Sequence, residues 1–218
     1  MAHSLKPAYW DDATRVLGQR DRVLKKLIRA YPDIHLQRRS DPFTTLARAI
    51  VGQQISVQAA DSIWRRFVAA VAPGAKSTLF PRLDPRAVAA TGVLALRQCG
   101  LSERKAAYLR DLAAHFVSGA LDAKRWKKLD DESLIGALVE VKGIGRWTAE
   151  MFLIFHELRA DVLPVDDIGL QRAIALHYHG GRRITPAAMR KLALAWQPYR
   201  SVATWYLWRS LDPVPVEY

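Results

Sequence analysis

Residues 138–167, LVEVKGIGRWTAEMFLIFHELRADVLPVDD, constrain this chain more than any other stretch. A helical run reaches Val141 and a tight turn, Lys142-Gly143-Ile144-Gly145, breaks it. A second helix is predicted over about 146–159, and a short loop then delivers the carboxylate pair Asp166-Asp167. Glycines at 143 and 145 allow turn conformations that a Cβ disfavours, and Ile144 between them can plug the turn into a core. The following helix N-terminus offers unpaired N–H groups and the positive end of a helix dipole, which together suit a phosphate. A bare GxG occurs in many turns, whereas GIGRWTA followed by LPVDD is far more restrictive. The plain alternative is a helix–turn–helix corner with a solvated acidic loop.

Charge narrows the partner. Lys and Arg total 33 against 21 Asp and Glu, a formal net charge of +12 and a pI near 10.1. Such an excess points to a polyanion, nucleic acid before an anionic membrane surface; solubility alone is the competing account. No apolar run approaches the ~18–20 residues of a spanning helix, and the N-terminus lacks a signal-peptide core. The basic residues are spread over many helices, not gathered in a tail. The single cysteine, Cys99, excludes an internal disulfide and a Cys-ligated iron–sulfur cluster and reads as a small buried hydrophobe. The expected location is the cytoplasm, with the nucleoid, in a bacterium, or the nucleus in a eukaryote.

Apolar spacing is helical throughout, with no convincing strand, no solenoid repeat and no low-complexity segment. An all-α chain of roughly ten or more helices is predicted, fitting one domain or two small lobes sharing a core. One helix is expected over 11–31, with Leu17, Leu24 and Ile28 among its apolar positions, ended by Pro32. Asp41-Pro42, Asp84-Pro85 and Thr185-Pro186 are start signals, Ser102 opens a long helix and Gly119 closes it. Asp130 and Asp131 stand at another helix start. Gly52-Gln53-Gln54-Ile55-Ser56 interrupts two apolar helices, and by itself reads as a polar turn. The helix after it should bury Val57, Ile63, Trp64, Phe67 and Val68. The helix after Asp167 should bury Ile168, Leu170, Ile174 and Leu176. Arg104, Lys105 and Arg110 read as a solvated face, Trp205 and Tyr206 as core, and the terminal LDPVPVEY as extended. His177 and His179 lack a third ligand for a metal.

GIGRWTA, with the acid of LPVDD some ~20 residues on, resembles the helix-hairpin-helix motif of the base-excision DNA glycosylase (HhH-GPD) superfamily. Within it the chain looks like the 3-methyladenine DNA glycosylase II (AlkA) type, over about residues 40–210. The resemblance implies one domain over 1–218 with two helical lobes around a cleft and no N-terminal β lobe. The core lobe would span about 42–155, the second lobe about 1–41 plus 156–218, and the motif about 132–158. It further implies a glycosylase that flips an alkylated purine, of the 3-methyladenine or 7-methylguanine type, and hydrolyses its N-glycosidic bond. Asp167 would be the catalytic carboxylate, stabilising oxocarbenium character and orienting or deprotonating water. Asp166 would cap the next helix, although Asp167 can do both. Lyase members carry a Schiff-base lysine where Trp147 stands here, and Lys142 lies on the wrong side of the turn, so no lyase step is expected. Trp147, Trp208 and Met151 would line the base pocket; an indole attracts a cationic base by about 0.5–2 kcal/mol, and Met151 stands where relatives often place Tyr.

GQQIS matches the loop that fills the gap left by the extruded base. The resemblance puts Gln54 in that position, with Gln53 as the competing choice. Backbone N–H groups of Gly143, Gly145 and Trp147, with Arg146 and Thr148, would grip phosphate. Main-chain carbonyls of Val139, Val141 and Ile144 would hold a structural sodium or potassium ion, with no other cofactor needed. The expected partner is double-stranded DNA containing alkylated bases, engaged by a monomer, with no membrane. The rivals are a glycosylase of the same superfamily for another lesion such as a deaminated purine, a non-catalytic damage-recognition module, and a generic RNA-binding scaffold.

Overall fold

The computed structural model describes residues 6–38, 40–75 and 81–212; the last six residues of the tail expected to be extended lie outside them. All regular structure among the described residues is helical: α1 (Trp10–Arg20), α2 (Arg22–Ala30), α3 (Pro42–Gly52), α4 (Val57–Val71), α5 (Pro85–Ala90), α6 (Val93–Gln98), α7 (Glu103–Ser118), α8 (Ala123–Trp126), α9 (Asp131–Val139), α10 (Arg146–Phe155), α11 (Ile168–Tyr178), α12 (Pro186–Leu192), a 3-10 turn (Ala193–Trp196) and α13 (Arg200–Leu211). The all-α expectation therefore holds for them. None of these helices is long and apolar enough to cross a membrane.

Short polar side chains set most of the starts. Asp41 accepts the Thr44 N–H at 3.0 Å, with Pro42 at the first helical position. Asp84 and Thr185 repeat the device, and Ser102 and Asp130 cap α7 and α9. Gly119 ends α7 in the left-handed conformation, φ +79°.

One expected helix is two. The run over 11–31 breaks at Asp21, whose backbone is extended and whose Oδ1 accepts the N–H groups of Val23 and Leu24 at 2.8 and 3.0 Å. Its Oδ2 accepts Tyr178 Oη and Trp196 Nε1 at 2.8 and 3.0 Å. Apolar periodicity continues across this cap, so it cannot reveal the break. Periodicity also overreached at helix ends: Val57, Ile168 and Leu176 are 65%, 70% and 55% exposed. Trp205 and Tyr206 are buried, as expected.

The chain divides into two compact units, Arg39–Phe152 and Met1–Arg38 with Leu153–Tyr218. The first is built on Leu46, Ile50, Trp64, Phe67, Leu109 and Leu112. An edge-to-face series, Phe43–Phe116–Trp126–Phe152, runs through it with centroids 5.3, 6.1 and 5.4 Å apart. The core of the second holds Trp10, Leu17, Leu24, Leu170, Ile174 and Trp196.

Candidate active site

In the unit containing both termini, one carboxylate is held with unusual care. Asp167, not Asp166, is the N-cap of α11: its Oδ1 accepts the Leu170 N–H at 2.6 Å. Asp166 is exposed. The expected capping role thus moves by one residue, because the Asp167 N–H bonds the Pro164 carbonyl at 3.0 Å and turns its side chain over the helix start. The same Oδ1 accepts the indole N–H of Trp208 at 2.8 Å. Trp208 in turn stacks on Phe155, centroids 5.6 Å apart and planes 11° from parallel. Asp167 retains 9% exposure.

The loop before it is pinned. Arg200 grips Asp161 in a fork, Nε to Oδ1 at 2.8 Å and Nη2 to Oδ2 at 2.9 Å. The Ser201 N–H meets the Ala160 carbonyl at 3.0 Å, and the Val162 N–H meets Ser201 Oγ at 2.9 Å. Gly169 lies in a close approach: a Cβ there would sit 3.1 Å from Asp167 Oδ1 and 3.3 Å from the Trp208 ring, tighter than ordinary contact, so both side chains would have to give by a few tenths of an ångström. A glycine in the first turn of a helix was the available sequence signal. The Phe155–Trp208 stack had none.

In the other unit, α9 and α10 flank the glycine turn. Gly143 has φ +86°, and a Cβ on it would sit 2.2 Å from the Tyr108 ring. Gly145 departs from expectation, for its φ is not left-handed and a Cβ there meets nothing within 4 Å. Ile144 is buried and plugs the turn as expected. Arg146 begins α10 with its guanidinium committed to carboxylates: a fork to Glu132 at 2.9 and 2.5 Å, and Nε to Glu150 Oε1 at 3.0 Å. The Glu132 bond raises the Arg146 pKa further and lowers that of Glu132. A phosphate would have to compete with both acids for this side chain. Trp147 is 39% exposed, Thr148 half-buried and Met151 buried.

The two glutamines separate. The Gln53 Nε2 donates to the Gly143 carbonyl at 2.8 Å, whereas Gln54 is exposed with φ +57°. Lys105, expected on a solvated face, instead donates to the Val51 and Gln53 carbonyls at 2.8 and 2.7 Å, and burial lowers its pKa. Of the hairpin carbonyls, that of Val141 accepts the Ile144 N–H at 3.0 Å. No group of three or more His, Cys, Asp or Glu among the described residues could hold a metal ion, and His177 Nε2 is 2.8 Å from Ser210 Oγ.

Known proteins resemble this chain in sequence and in fold. DNA-3-methyladenine glycosylase 1 of Schizosaccharomyces pombe is 33% identical over 188 residues, covering 86% of this chain and 80% of that protein. A structure of the 3-methyladenine DNA glycosylase of that yeast with abasic DNA superposes with a TM-score of 0.77 at 29% identity, over 94% of this chain and 100% of the other. The DNA-3-methyladenine glycosidase of Bacillus halodurans gives a TM-score of 0.80 at 34% identity, over 90% and 87% of the two chains. With the family model for HhH-GPD superfamily base excision DNA repair proteins matching residues 47–198, the chain belongs to that superfamily.

Proposed function

We propose that this chain is a monofunctional DNA glycosylase of the AlkA type, excising alkylated purines from duplex DNA by hydrolysis. The observation that carries the reading is Asp167 Oδ1, aimed by two N–H donors, one from its own helix and one from Trp208. An oriented carboxylate is what departure of a base requires. As the C1′–N bond breaks, its electron pair leaves with the base and positive charge gathers on the sugar. Asp167 stabilises that charge and steers a water to C1′, whose proton passes to the carboxylate or to solvent. An alkylated purine already carries positive charge, so its departure asks little of a general acid. The relatives named as 3-methyladenine glycosylases support this substrate class.

The other side chains take separate roles. Trp147 and Met151 receive the extruded base through stacking and thioether contact. Trp208 spends its polar edge on Asp167, and so orients the acid as well as bordering the base. Gln54, exposed on a left-handed backbone, fills the gap in the duplex, while Gln53 is engaged with Gly143. Backbone N–H groups at the start of α10, with Thr148, meet phosphate. A sodium or potassium ion would be held by the carbonyls of Val139, Val141 and Ile144. Neutral carbonyl oxygens suit such ions, and the Val141 oxygen keeps a second lone pair beside its bond to Ile144. The ion would fix the turn and take no part in chemistry. With Trp147 where lyase relatives carry a lysine, water is the nucleophile and the strand stays intact.

The test is incubation with methylated duplex DNA and chromatography of what is released. 3-Methyladenine and 7-methylguanine are expected, with no protein–DNA adduct trapped by borohydride. Release confined to a deaminated base would assign another lesion, and lesion binding without release would make the chain a recognition module.

A further inference from the structure

Three residues on one side of α7, Lys105, Tyr108 and Asp111, fasten two turns that are far apart in sequence. Lys105 donates to the Val51 and Gln53 carbonyls, the last acceptors of α3, where a cation is favoured by the helix dipole. The Gln53 amide then reaches the Gly143 carbonyl. The Tyr108 ring fills the space beneath Gly143, and Arg104 Nη2 holds the Tyr108 hydroxyl at 3.1 Å. Asp111 Oδ2 accepts the Lys142 N–H at 2.9 Å. The glutamine turn and the hairpin turn are thereby fixed to one helix and to each other.

The carbonyl that Lys105 holds belongs to Gln53, immediately before Gln54. Gln54 is a non-glycine residue at φ +57°, a conformation that L side chains resist. Its side chain is exposed and Gln53 is engaged below it. We infer that Lys105 is a positioning residue: by capping α3 and the Gln53 carbonyl it holds the left-handed backbone that projects Gln54, and so sets how well the opened duplex is kept open during base excision. The inference rests on the excision reading above, in which Gln54 enters DNA.

The experiment is single-turnover base release from methylated duplex by Lys105→Met, alone and with Gln54→Gly, alongside thermal unfolding of each protein. Lys105→Met should slow release by about 10–100-fold, the scale of a misplaced group near a reacting centre. Glycine takes φ > 0 without resistance and has no side chain to aim, so in the Gln54→Gly background the same change should add less than about twofold. Lys105→Gln, which keeps an amide donor for the carbonyls, should retain more release than Lys105→Met and serves where Lys105→Met does not fold. Release at the wild-type rate by Lys105→Met overturns the inference. So does an equal loss in both backgrounds that tracks a fall in melting temperature, since that is a general folding role. A wild-type chain that frees no base removes the excision reading and this inference together; wild-type release with an unaffected Lys105→Met removes the inference alone.

Discussion

The N-termini of α10 and α11 meet the same need in opposite ways. α11 is capped from within, by a carboxylate that accepts the Leu170 N–H. At α10 the capping residue brings no side chain of its own. The Gly145 carbonyl takes the Ala149 N–H at 3.0 Å, which puts Gly145 at the capping position, yet glycine has no side chain and the first turn of α10 contains no acid. Asp, Ser or Thr caps α2, α3, α4, α5, α7, α8, α9 and α12. A helix start satisfied by its own acid is closed to external anions, while one without a side-chain acceptor suits a phosphate. The closed start gains something else: its acid is oriented, and an oriented acid can do chemistry.

Separating cap from chemistry at α11 gives the largest expected effect. Asn caps about as well as Asp, so Asp167→Asn leaves the start of α11 and the Trp208 contact in place. Base release should fall by about 10²–10⁴-fold in single-turnover assays, while lesion-duplex binding and melting temperature stay near wild type. Undiminished release would take Asp167 out of the reaction. Trp208→Phe comes next. It keeps a ring over Phe155 and deletes the N–H. A hydrogen bond to a charged acceptor is worth about 1.5–3 kcal/mol, so release should slow by about 10–100-fold. In the Asp167→Asn background most of that loss should vanish. A full loss there would mean that Trp208 acts on the base and not through the acid.

The same contrast explains what could be read in advance. Caps are local, carried by one side chain and an N–H two or three residues on, so Asp41-Pro42, Ser102 and Asp130 were legible as helix starts. Asp21 was not, because helical periodicity runs unbroken through it and its remaining partners, Tyr178 and Trp196, are remote in sequence. GIG announced a turn but could not say which glycine needs its missing Cβ. That depends on φ and on the Tyr108 ring, and both single out Gly143. Asp167 is singled out as the candidate acid by family resemblance, and its bond to Trp208 is visible only in the tertiary structure. Lys105 misled because an exposed lysine and one clamping two carbonyls look alike on a helical wheel. Arg146, which beside a glycine turn reads as a phosphate ligand, also bonds Glu132 and Glu150, and neither partner is announced by the sequence.

Gly145→Asp would give α10 the closed start that α11 has. The substitution should fit, since φ at Gly145 is not left-handed and a Cβ meets nothing within 4 Å. The new carboxylate can accept a first-turn N–H as Asp167 does, and the gain over glycine should be about 0.2–0.5 kcal/mol, visible as a slightly higher denaturation midpoint. Duplex binding should move the other way. A carboxylate bonded to those N–H groups competes with phosphate and repels it, so affinity should fall by about tenfold and the slope of log K against log salt should shrink by about one. Gly145→Asn separates the two contributions, because it caps without charge: it should show the stability gain and only part of the binding loss. If both variants are stabilised and both bind DNA as tightly as wild type, no phosphate sits at the start of α10. The missing cap there would then be an ordinary consequence of a glycine turn.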